Sequence, residues 1–187
     1  MTATNTQLME TGKGKVTQLI TAEQLQERIS ILAKEISKGV NEEIVVISLL
    51  KGAFMFTADL IRGLHHAGVR AQVDFLTLSS YGKGTESSGT VTVVRDLAEE
   101  VRGKDILIVD DILESGRTLD YARRLLKERG AKSVKLAVLL EKPGKLAVDI
   151  NAEFIGFTIP DKFVVGYGLD YANYYRELPF VGVMATD

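Results

Sequence analysis

Asp110 and Asp111 stand side by side, Glu114 follows, and Ser115-Gly116-Arg117-Thr118 completes one short stretch rich in groups that can do chemistry. Four apolar, mostly β-branched residues precede it (Ile106 to Val109), the pattern of a strand buried on both faces and ending at the paired acids. Leu119, Ala122, Leu125 and Leu126 after it repeat at helical spacing. A strand, a small polar loop and a helix N-terminus together make an anion site, because free backbone N–H groups and the positive end of the helix dipole face the loop. Ser115 and Thr118 add hydroxyl donors, and Gly116 lets backbone approach a ligand closely. Carboxylates beside a phosphate need a further partner, either ribose hydroxyls or a divalent cation. A solvated turn carrying an accidental acidic cluster gives the same pattern. Receiver domains also pair acids at a strand end, but at the first strand, whereas this pair lies past mid-chain.

Neither G-x-x-x-x-G-K-[ST] nor G-x-G-x-x-G is present. The stretch instead resembles the signature of the type I phosphoribosyltransferases, which bind phosphoribosyl pyrophosphate (PRPP) with apolar residues, two acids and an acidic-Ser/Thr-Gly-x-Thr loop. A second resemblance lies in the tail, Pro160-Asp161-Lys162-Phe163-Val164-Val165-Gly166-Tyr167-Gly168-Leu169-Asp170-Tyr171, continuing to Tyr175-Arg176. It is similar, nearly residue for residue, to the base-recognition segment of hypoxanthine-guanine phosphoribosyltransferases. Leu50-Lys51-Gly52, Ser80-Tyr81 and Lys142 stand in that family's order, so the resemblance covers about residues 44–184.

The resemblance implies roles by position. Leu50-Lys51 would be a non-proline cis peptide that, with Gly52, presents a backbone amide to pyrophosphate. Ser80 and Tyr81 would belong to a lid that closes over the reacting groups and excludes water. The substrate-binding run would be Asp110, Asp111, Ile112, Leu113, Glu114, Ser115, Gly116, Arg117 and Thr118. Within it, Ser115 to Thr118 would cradle the ribose 5′-phosphate and the two Asp would bond the ribose hydroxyls. Lys142 would donate to a purine 6-oxo group, Phe163 would stack on the ring, and the backbone at Lys162–Val164 would read its edge. Asp170 would hold Mg2+ on the pyrophosphate, with Asp110 and Asp111 as further candidate metal carboxylates, and Arg176 would neutralise the leaving group. The implied catalytic set is Glu114, Lys142, Arg176, Ser80 and Tyr81. Two departures stand out: the family usually has Asp where this chain has Glu114, and more often Glu where it has Asp110. Glu114 carries an extra methylene, so its oxygen must be drawn back to reach the same point.

The rest of the chain supplies the elements that hold these residues. Thr21 with Gln24 fits a capping box opening a helix over 22–38. Apolar strands are expected at 44–50, 69–80, 90–94, 133–140, 154–157, 163–165 and 180–184, with a helix over 54–64 closing towards Gly68. Gly130 is a plausible helix stop, and His65 and His66 read as partners for a helix C-terminus. Strands alternating with helices predict an α/β protein: a type I phosphoribosyltransferase fold, its mostly parallel sheet flanked by helices. A small C-terminal hood (about 142–187) and a flexible lid would complete it. The decapeptide 81–90, with Gly82, Gly84 and Gly89 among small polar residues, is the expected lid.

At 187 residues one domain spans the chain, with 1–15 expected to be flexible. Hydrophobic residues at 45% and charged ones at 26% are ordinary for a globular protein. A net charge of −2, without a basic stripe, argues against nucleic-acid binding. With no cysteine there is no disulfide or thiolate-held metal. No apolar run approaches the roughly 20 residues of a membrane span, and no signal-peptide core is evident, so a cytoplasmic location without membrane contact is expected. The expected function is Mg2+-dependent transfer of phosphoribosyl from PRPP to hypoxanthine and guanine, by a homodimer or homotetramer. Two alternatives stay open: a relative preferring xanthine or uracil, and a regulator on the same fold with little catalysis, for which Glu114 gives some footing.

Overall fold

The computed structural model describes residues 8–11, 14–81 and 90–185, with side chains from Gly14 to Ser79 and Val91 to Ala185. Its elements in chain order are β1 (Leu8–Thr11), β2 (Gly14–Ile20), α1 (Ala22–Gly39), β3 (Glu43–Leu50), α2 (Phe54–His66), β4 (Arg70–Tyr81), β5 (Thr90–Arg95), β6 (Asp105–Leu113), α3 (Arg117–Glu128), β7 (Ser133–Glu141), β8 (Phe154–Thr158), β9 (Val164–Val165) and β10 (Val181–Met184). The central sheet runs β5-β4-β3-β6-β7-β8. All its pairings are parallel except β4 with β5. The capping box at Thr21 and Gln24 forms as expected, and such a cap stabilises by about 1 kcal/mol.

Strand alternation divides the core. Ile44 and Val46 of β3 and Leu107 and Val109 of β6 bury against α1 and α2. Val45, Ile47 and Leu49 with Ile106 and Ile108 bury on the other face, under Leu119, Ala122 and Leu126 of α3. Each such side chain contributes roughly 1.5–3 kcal/mol through removal from water. No helix among the described residues is long and apolar enough to cross a membrane.

One expectation is corrected. β6 does not end before the acidic pair; it continues through Asp110, Asp111 and Ile112 to Leu113. The cause is β7, which runs alongside to Glu141 and pairs Ile112 with Leu140 and Leu113 with Glu141, while Leu113 buries in the core. β1 and β2 form a hairpin, and β2 pairs antiparallel with β10, so both ends of the chain share a small sheet, β1-β2-β10-β9. The expected lid lies, for residues 82–89, outside the described residues. The backbone of Ser80 and Tyr81 closes β4 opposite Val91 and Thr90.

Candidate functional site

Parallel strands deliver their carboxyl ends to one edge, where ligands of such sheets collect. There β3, β6 and the start of α3 open a cleft of about 310 Å³, lined by Leu50, Lys51, Gly52, Asp110, Asp111, Ile112, Glu114, Ser115, Gly116 and Thr118 among others. A larger cleft, about 410 Å³, opens at the amino ends of the strands around Glu43, Arg70 and Lys104. Arg70 there is paired with Glu43 at 2.7 Å, and none of its lining residues begins a helix. The smaller cleft is the one that gathers the carboxylates, the glycine-containing loop and a helix N-terminus.

Gly116 makes the loop possible. It caps α3 with a left-handed φ of 76°, and no side chain caps the first turn. A Cβ there would stand 2.5 Å from Ile150 Cγ2. Arg117 N–H points towards Ser115 Oγ at 3.5 Å, too far to satisfy it, so the donors of this turn remain available to an anion. We expect Gly116→Ala to lose about 2 kcal/mol or more of folding stability through both strain and collision. Urea titration against the parent measures it.

Asp111 lies against Gly52, just before α2. A Cβ on Gly52 would fall 1.5 Å from Asp111 Oδ2, so only glycine lets the two segments meet. The preceding Leu50–Lys51 peptide is cis, as the resemblance implies. Asp110 Oδ1 accepts the Asp111 N–H at 3.0 Å. Burial in the cleft, and then the neighbouring Asp111 charge, push the Asp110 carboxyl well above the usual range. Burial also raises Asp111, against the pull of its hydrogen bonds and of the Arg176 charge.

Lys142 follows β7 and is only 7% exposed, unusual for a lysine unless acids face it. Two do. Its Nζ lies 3.3 Å from Glu114 Oε1 and 3.8 Å from Asp161 Oδ1, and Lys145 Nζ binds Asp161 Oδ2 at 2.5 Å. The extra methylene of Glu114 is taken up in reaching Lys142.

The hood hangs over the same edge. Phe163 is 46% exposed and meets Tyr171 edge to face at 5.7 Å. The Phe163 carbonyl accepts Met184 N–H, tying it to β10. Lys162 is exposed, while the Val164 side chain is buried in the core, so only the backbone of Val164 can face a ligand. Tyr167, Ala172, Asn173 and Tyr175 all have positive φ, a conformation that surrounding contacts must enforce. The contacts are present. Tyr167 OH donates to Asp59 of α2, and burial followed by that carboxylate pushes the phenol well above its usual range. Arg176 donates to the Gly168 carbonyl and pairs with Asp170 Oδ1, each at 2.6 Å, while Asp170 Oδ2 accepts Asn173 N–H at 2.8 Å. Gly168 in turn packs on the Gly52 carbonyl, joining hood to cleft.

The structure therefore brings Lys51, Gly52, Asp110, Asp111, Glu114, Ser115, Gly116 and Thr118 to one cleft, with Lys142 tied to it through Glu114. Leu113 is core, and Arg117 supplies the first turn of α3 rather than the cleft wall. Asp161, Lys145, Asp59 and Tyr171 escape sequence reasoning. Asp161, Lys145 and Asp59 act through partners distant in the chain, while Tyr171 and its partner Phe163 stand in the same tail segment, whose resemblance assigned them no contact with each other.

The chain matches the family model for the phosphoribosyl transferase domain over residues 16–172. It is 46% identical over 173 residues to hypoxanthine phosphoribosyltransferase of Salmonella typhimurium, covering 91% of this chain and 96% of that protein. With hypoxanthine-guanine phosphoribosyltransferase of Bacillus subtilis it shares 46% over 167 residues, 89% of this chain and 91% of the other. Among solved structures, a hypoxanthine-guanine phosphoribosyltransferase of Bacillus anthracis superposes with TM-score 0.85 at 41% identity, covering 96% of this chain and 100% of that one. The shared cleft, hood and sequence lead to one assignment: the chain belongs to the phosphoribosyltransferase family, within its hypoxanthine phosphoribosyltransferase branch.

Proposed function

We propose that this protein transfers the phosphoribosyl group of PRPP to hypoxanthine and guanine, giving the nucleoside 5′-monophosphate and pyrophosphate. The observation that carries the base preference is the Lys142–Glu114 pair. A buried ammonium 3.3 Å from a carboxylate presents a donor beside an acceptor. That matches a 6-oxo group beside a protonated imidazole nitrogen. Adenine offers a donor where Lys142 also donates, and so mismatches.

In this reading Ser115, Gly116 and Thr118 with the free N–H groups of α3 bind the 5′-phosphate. Asp110 and Asp111 accept the ribose hydroxyls, an interaction that favours their charged forms. Phe163 offers its exposed face to the purine. One base nitrogen forms its bond to the anomeric carbon as the bond to pyrophosphate breaks, and Glu114 takes the proton from the other ring nitrogen. Arg176 is held by Asp170 and Gly168, so it acts on pyrophosphate from a fixed position.

Mg2+ fits the donors at the hood. Among the described residues no three acids or histidines converge as a protein-only metal cage, while Asp170 is a partly exposed carboxylate beside the cleft. One or two carboxylates completed by substrate phosphates is the usual Mg2+ arrangement. Asp170 would hold the ion, with Asp110 and Asp111 of the cleft as further candidate carboxylates, and the ion would supply positive charge to the leaving pyrophosphate. A homodimer or homotetramer and a cytoplasmic location belong to the same proposal.

The test is a PRPP-dependent assay across hypoxanthine, guanine, xanthine, adenine and uracil, with and without Mg2+. Turnover of hypoxanthine and guanine, abolished by chelator, is expected, with adenine and uracil poor. Uracil turned over as fast as hypoxanthine, or no purine turned over at all, would overturn the reading.

A further inference from the structure

Lys142 faces two carboxylates, and the proposed chemistry engages only one of them. Glu114 lies after β6, 45% exposed, and in the reacting complex it must address the base. Once it has taken the proton of the base it is neutral, and no longer balances the Lys142 charge that its Oε1 faces. A lysine this buried then keeps its charge at a cost unless another acid faces it. Among the described residues with an ion pair to Lys142, the other acid is Asp161.

Its two oxygens are divided. Oδ2 is fastened by Lys145 at 2.5 Å, and Oδ1 is turned to Lys142 at 3.8 Å. Lys145 holds the Asp161 carboxyl below the usual range, and Asp161 raises Lys145 in return, so the pair is charged at neutral pH. The distance to Lys142 suits the purpose. At 3.8 Å an acid attracts the ammonium without forming a hydrogen bond, and so consumes no N–H needed by a base. The turn Lys142-Pro143-Gly144-Lys145, with Gly144 at φ 79°, puts both lysines on one carboxylate. Asp161 itself lies in the hood, two residues before Phe163. One side chain thus couples the loop that carries the 6-oxo reader to the segment that carries the stacking ring.

We infer that Asp161, fastened by Lys145, is a positioning residue for base recognition: it aims the Lys142 ammonium at the purine once Glu114 turns to its own role. The inference rests on the proposed activity.

The test is steady-state kinetics of Asp161→Asn with hypoxanthine and PRPP varied separately. KM for hypoxanthine should rise about 3- to 10-fold, as expected for loss of a partly buried charge contact, while kcat and KM for PRPP stay within about twofold. Asp161→Glu should recover most of the loss, and adding Lys145→Met to Asp161→Asn should make nothing worse, because Lys145 acts through Asp161. An unchanged hypoxanthine KM, or a PRPP KM that rises in step, overturns the inference. If Asp161→Asn does not fold, Lys145→Met decides it, since that side chain is 45% exposed: a raised hypoxanthine KM at constant PRPP KM supports the inference, and no change overturns it. A parent with no turnover would defeat the activity and this inference together, whereas an active parent and an indifferent variant defeat this inference alone.

Discussion

Glu114→Gln is expected to lower the single-turnover rate by on the order of 10²-fold or more while PRPP affinity stays within about twofold. The argument begins from charge. As one imidazole nitrogen bonds to the sugar, the other becomes acidic, and a carboxylate in reach takes its proton. The amide of Gln keeps the size and hydrogen-bonding reach but cannot accept that proton. Glu114 lines the same cleft as Ser115, Gly116 and Thr118, yet its contact in the structure is with Lys142 and not with the phosphate loop. Its charge therefore bears on the base more than on PRPP.

Restoring the residue usual in the family, Glu114→Asp, should keep the rate within about tenfold, roughly 1.4 kcal/mol, in either direction. Shortening the side chain withdraws it from Lys142, leaving Asp161 as the acid that faces the ammonium, so a modest rise in base KM is expected as well. Rapid-mix single-turnover experiments separate these effects. A Glu114→Gln enzyme as fast as its parent would pass the proton-accepting role to Asp110, Asp111 or a water.

What could be read from the sequence follows the range of the interaction responsible. The α1 cap is local: Thr21 and Gln24 are three residues apart, and their reciprocal bonds form as expected. The stripes of α1 and α3 and the apolar runs of β3, β6 and β7 are local as well. The end of β6 was misjudged because polar residues ordinarily close a buried strand, whereas here pairing with β7 includes Asp110 and resumes at Ile112 and Leu113 beyond the acidic pair. The pairing of β2 with β10 was missed because the two strands lie near opposite ends of the chain. Short polar strands have little pattern of their own. The site divides the same way. The phosphate loop was legible as chemistry, while the cis Leu50–Lys51 peptide and the purine-facing roles came only from resemblance. The Lys145–Asp161–Lys142–Glu114 chain of charges needed the fold.

Asp110→Asn should cost activity and add stability at once. On the activity side, an amide replaces a charged acceptor at a ribose hydroxyl, and such charge-assisted bonds are worth about 1.5–3 kcal/mol, so kcat/KM should fall roughly 10- to 100-fold. On the stability side, burial and the adjacent Asp111 raise the native Asp110 carboxyl above its unfolded value. As pH rises from about 4, the unfolded chain releases that proton before the native one, and the parent loses stability towards neutrality. Asn removes the penalty while its Oδ1 can still accept the Asp111 N–H. Measured in chelator, so that no cation offsets the acids, the variant should match the parent near pH 4. At pH 7 it should melt roughly 2–4 °C higher, about 1 kcal/mol. A variant that melts lower at pH 7, or whose advantage is as large at pH 4, would show that Asp110 is held by contacts that compensate its charge. The acidic pair would then stabilise the cleft rather than strain it.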